Sequence, residues 1–61
     1  MSDRFAVEAD RRVVGIAVRD REGYRFFSSE PAFFAFEGRT FGRARQLLQT
    51  VTNFARTMRG K

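Results

Sequence analysis

Cysteine and histidine are both absent from this chain of 61 residues. Without cysteine there is no disulfide framework and no thiolate metal site. Without histidine the commonest general base and the commonest metal ligand are missing together. The remaining metal-binding side chains are seven carboxylates, spread along the chain rather than clustered. Proline occurs once, and no stretch approaches the roughly 18 apolar residues of a membrane span. Met1-Ser2-Asp3-Arg4 has no charged leader followed by an apolar run, so a soluble cytoplasmic protein is expected. No nucleophile–base pair, phosphate-loop glycine pattern or usefully spaced carboxylate pair is present. No catalytic residue, metal or cofactor is expected.

Acidic residues are also missing from the whole of the chain beyond Glu37. Residues 1–37 hold six Arg against seven acids and are nearly neutral. Residues 38–61 hold Arg39, Arg43, Arg45, Arg56, Arg59 and Lys61 against none, which places the net charge of +5 on one segment. That segment is also the most periodic one. Phe41, Ala44, Leu47, Leu48, Val51, Phe54, Ala55 and Met58 recur in steps of three and four. Such spacing predicts one amphipathic helix over 40–58, with Thr40 as N-cap and Gly60 as C-cap. Gly42 falls in its first turn, at a cost of up to about 1 kcal/mol against alanine. Positions 41, 44, 48, 51, 55 and 58 also fit a coiled-coil seam. Leu47 and Phe54 widen it to the stripe that suits packing on a sheet.

The first half supplies that sheet. Arg4–Ala9 alternates, with Phe5, Val7 and Ala9 on one side, and Asp10-Arg11 reads as a tight hairpin turn. Arg12–Arg19 follows as a β-branched strand, with Val14, Ile16 and Val18 expected to share a face with Phe5 and Val7. Val13, Gly15 and Ala17 would then form a second apolar face, so this strand is expected to be covered on both sides. Gly15 inside it calls for the close approach of another group. Asp20-Arg21-Glu22-Gly23 is a turn with glycine supplying positive φ. Tyr24–Ser29 is the third strand, with Tyr24 and Phe26 facing one way and Arg25 and Phe27 the other. Residues 30–37 fit two states. As a helix they are capped by Ser28 or Ser29, start at Pro31 and end at Gly38. As a strand they direct Phe34 and Phe36 to the core. The expected fold is α+β, a three-stranded antiparallel β-meander packed against one long C-terminal helix, with a short helix or strand at 30–37.

Two surfaces are candidates for function. A helix N-terminus favours acids, yet Arg39, Arg43 and Arg45 stand there. With the free backbone N–H groups they would make a site for phosphate, carboxylate or nucleic acid. The alternatives are a solvated basic face, or pairing with Glu30 and Glu37. The second surface is apolar. Eight Phe crowd a core of this size, and Val13, Ala17, Phe27 and Phe33 are left over as a partner or dimer surface. Phe27 beside Arg25, with Tyr24, would also suit base stacking, but the elements expected from the sequence lack the two helices and fourth strand of an RNA-recognition domain.

Gly23-Tyr24, Ser29-Glu30-Pro31, Gly38-Arg39-Thr40 and Ala44 follow in the order and spacing of one known pattern. Over this third of the chain the sequence resembles HicB-type antitoxin domains. The resemblance implies a meander on a helix, dimerisation, and a small RNA-cleaving toxin as partner. The chain departs from that pattern at Gly42 and Arg43, where the family's helix opens with acids. The function expected is a small non-catalytic bacterial interaction module, a homodimer that binds a protein partner. The alternative is a basic nucleic-acid-binding module using the Arg-rich helix.

Overall fold

A computed structural model of the chain describes residues 3–59, so the expected cap at Gly60 lies outside the described residues. Strands β1 (Arg4–Ala9), β2 (Arg12–Asp20), β3 (Gly23–Ser28) and β4 (Thr40–Phe41) form one antiparallel sheet in that order. Helix α1 (Ala44–Arg59) packs on one face of it. The fold is α+β, as the alternating and then helical periodicities predict.

The β1–β2 hairpin turns on Asp10 and Arg11, both at positive φ (56° and 67°). This is the left-handed pair of a type I′ hairpin turn, built without the usual glycine. The register behind it is irregular. Val7 pairs with Gly15 and Glu8 with Val13, which leaves Val14 as an extra residue in β2. A one-residue bulge reverses which side chains face inward beyond it. Val14 and Ala17 are both buried, whereas Ile16 is 38% exposed and Val18 half-buried. The expected grouping of Val14, Ile16 and Val18 with Phe5 and Val7 therefore holds only for Val14. Ala17 replaces Ile16 opposite Phe5. Strand β2 is central in the sheet but covered on one face only, another correction to the two-sided expectation.

Gly15 has the close neighbour its position called for. A Cβ there would stand 2.7 Å from two ring atoms of Phe26, which is fully buried. Above the small Ala17, Phe5 and Tyr24 meet edge to face at 6.0 Å. At the next turn Gly23 has φ 134°, and Glu22 donates its N–H to Asp20 Oδ1 at 2.9 Å.

Residues Pro31–Phe36 form a 3-10 helix. Its three-residue turn brings Phe33 and Phe36 onto one side, both buried, and leaves Phe34 59% exposed. The helical alternative for this segment is thus the correct one. Glu30 stands at its N-cap without a side-chain cap, in place of Ser28 or Ser29.

The chain then returns to the sheet. Gly38 (φ 75°) donates its N–H to the Phe26 carbonyl at 2.8 Å, and Phe26 donates to the Arg39 carbonyl at 2.9 Å. Thr40 and Phe41 pair with Arg25 and Tyr24. Thr40 is therefore a strand residue and not a helix cap. The groups along the outer side of β3 need partners, and this segment supplies them. Helix α1 begins four residues later, with Leu47 donating to the Arg43 carbonyl at 3.2 Å. Gly42 lies ahead of it and imposes no helical cost. Leu47, Val51 and Ala55 are its buried row. Phe54 packs to one side, edge to face on Phe33 at 5.3 Å and on Phe36 at 4.9 Å. Leu48 and Met58 are exposed, so the buried stripe is narrower than the sequence period.

Candidate functional site

The three basic residues expected at the helix start stand in three different surroundings. Arg39 is exposed, with its guanidinium 5.8 Å from the Phe36 ring centroid and 5.6 Å from that of Phe41. There it shields two core rings from water by cation–π contact. Arg43 lines a cleft against the β2–β3 turn that also holds Arg19, Asp20, Arg21 and Glu22. Arg45 lies on the outer side of α1, in a shallow groove with Gln49, Asn53 and Arg56. The acids considered as partners are engaged elsewhere. Glu30 pairs with Arg12 at 3.2 Å, and Glu37 Oε1 accepts the Ser28 N–H at 2.7 Å. Arg56 was not among the expected site residues. Its helical spacing from Arg45 through Gln49 and Asn53 is the signal that places it on one side with them.

The four apolar residues expected at a partner surface divide in two. Ala17 and Phe33 are core residues, at 0% and 3% exposure, which removes them from any surface. Val13 and Phe27 do stand out, at 45% and 37%. They lie on the sheet face opposite α1, where the bulge adds residues that simple alternation had turned inward. By register, Ala6, Ile16 and Phe27 form one row across β1, β2 and β3. Val18 lies in the next row between Arg4 and Arg25, and Val13 stands opposite Glu8. An apolar band thus runs across the open face, with two arginines at one end and a glutamate at the other. Arg25 is steadied by Thr40 Oγ1 at 3.4 Å and Asp20 Oδ2 at 3.8 Å.

Between the hairpin tip, the 3-10 helix and α1 is a cavity of about 190 Å³ lined by Ala9, Asp10, Arg12, Val14, Phe33, Ala55 and Met58. It is smaller than the few hundred Å³ typical of cofactor and drug-sized ligand sites. Among the described residues no three acidic side chains are grouped to hold a metal ion, and no helix is long and apolar enough to cross a membrane. Compared with protein-family models, with curated proteins and with solved structures, the chain gives no match.

Proposed function

We propose that the chain is a non-catalytic interaction module that binds a protein partner through the open face of its sheet. One observation supports this above the others, the exposed Ala6–Ile16–Phe27 row with Val13 beside it, on a sheet whose other face carries a well-packed core. Contiguous apolar surface of this kind marks binding sites on soluble domains. Such a face favours a partner that presents exposed apolar side chains of its own. The resemblance to HicB-type antitoxins would make that partner a small RNA-cleaving toxin. Selection of displayed peptides on the wild-type protein, with counter-selection on the Ile16→Lys, Phe27→Lys double variant, tests it. Selected peptides should shift the backbone amide resonances of β1, β2 and β3 at outward-facing positions. Peptides that perturb only α1, or that bind the double variant equally, would refute it.

A second reading is favoured by the groove holding Arg45, Gln49, Asn53 and Arg56 on α1, a basic surface free of acids that also includes Leu48 and Thr52. It makes α1 a nucleic-acid contact. Anisotropy of labelled duplex DNA and single-stranded RNA across a salt series tests it. On duplex DNA, log affinity should fall with log salt by about 0.9 per phosphate contacted. Arg45→Glu with Arg56→Glu should remove the signal.

A further inference from the structure

Strand β1 is an edge strand, and its backbone polarity and side-chain order are both self-complementary. Arg19 donates its N–H to the Asp3 carbonyl at 2.7 Å, so Asp3 and Arg19 are a hydrogen-bonded pair. Antiparallel alternation makes Phe5 with Ala17 and Val7 with Gly15 the next such pairs. The peptide groups of Arg4, Ala6 and Glu8 therefore turn away from β2, toward the outer edge. A strand added there must pair these residues with residues of the same kind in the newcomer.

The geometry points to a second copy of this chain, paired antiparallel along β1 about a two-fold axis at Ala6. In this register Ala6 faces the partner's Ala6, Arg4 faces the partner's Glu8, and Glu8 faces the partner's Arg4. All three outward residues of each strand enter the ladder. Sliding the pairing by one residue turns outward groups against inward ones and makes no ladder. Sliding by two sets one charged residue of each strand against the partner's Ala6 and carries the other beyond the end of the partner's strand. On the inner face, Phe5 meets the partner's Val7, which extends the core across the joint. Because α1 packs against β1, both helices fall on the same side of the joined sheet. On the other side, the apolar row would run unbroken from Phe27 to the partner's Phe27. At the usual strand spacing that is about 24 Å over five intervals.

This inference concerns the edge of the sheet and does not depend on what its open face binds. Sedimentation velocity of the full chain alone, without any peptide, tests it from micromolar to near-millimolar concentration. The wild type should self-associate as a dimer. Glu8→Arg and Arg4→Glu should each weaken it at least about tenfold, because each creates two like-charge contacts by symmetry. The Arg4→Glu, Glu8→Arg double variant should return to wild-type association, since the swap restores both pairs. Ala6→Pro should be monomeric but folded by circular dichroism, because its lost N–H faces outward. A wild type that stays monomeric would overturn the proposal. So would a dimer indifferent to the single swaps, a double variant that remains weak, or a dimer dispersed only by Ile16→Lys and Phe27→Lys.

Discussion

Replacing Gly15 by alanine should destabilise the protein, although glycine-to-alanine changes in a strand ordinarily gain about 0.5–1 kcal/mol. The added Cβ would lie 2.7 Å from Cε1 and Cζ of Phe26, and closer still to the Phe27 carbonyl oxygen. Neither neighbour can retreat freely. Phe26 is fully buried, and Phe27 is paired to Ile16 in the β2–β3 ladder. Overpacking of this kind costs about 1–3 kcal/mol. A domain of this length has a total stability of about 3–9 kcal/mol, so the loss is a large share of it. The melting temperature should fall by on the order of 10 °C. Urea titration followed by far-ultraviolet circular dichroism reads it, with fluorescence of the single Tyr24 as a second probe. Phe26→Leu removes the ring atoms in question. The double variant should therefore lose less than the two single losses added, by at least about 0.5 kcal/mol. A Gly15→Ala protein as stable as wild type, or more so, would refute the close approach of Phe26.

The left-handed turn gives the opposite sign. Asp10→Asn with Arg11→Gly should raise stability by about 0.5–1 kcal/mol, the left-handed cost at Arg11 less the added glycine entropy. A lowered urea midpoint would contradict the turn geometry. Phe54→Ala should cost about 2–4 kcal/mol in the same assay, because it strips both Phe33 and Phe36 of their edge-to-face partner. The neighbouring residues Phe33 and Phe34 should behave oppositely. Phe34→Ala should change stability by less than about 0.5 kcal/mol, while Phe33→Ala should cost about 3–5 kcal/mol.

The strands of the meander are legible in the sequence almost to the residue, since Arg4–Ala9 alternates and Asp10-Arg11 interrupts two apolar runs. What alternation cannot show is the extra residue at Val14. A bulge is a matter of register between two strands, and nothing in β2 alone announces it. Its consequence is large, because it exchanges Ile16 with Ala17 between core and surface. Thr40 was misleading for a related reason. Gly-Arg-Thr before a periodic apolar run looks like a helix cap, and Phe41 extends the period of α1 backward by one step. The unpaired outer side of β3 outweighs that local preference and draws Thr40 and Phe41 into the sheet. Residues 31–36 are too few for a period of three to be told from a period of two. Arg39, Arg43 and Arg45 are neighbours in sequence only. In space, Arg39 stands over Phe36 and Phe41, Arg43 beside a turn, and Arg45 on the back of the helix.

The proposal for the open face rests on Ile16 facing outward and Ala17 inward. Thermal melts of Ile16→Lys and Ala17→Lys, measured side by side, test that most directly. Ile16→Lys should fold and melt cooperatively near the wild-type temperature, with its ammonium in water beside Ala6 and Phe27. Ala17→Lys should show no cooperative transition, because it forces a charge into a fully buried site. The reverse result, with Ala17→Lys folded and Ile16→Lys unfolded, would contradict the bulge and the apolar face that follows from it.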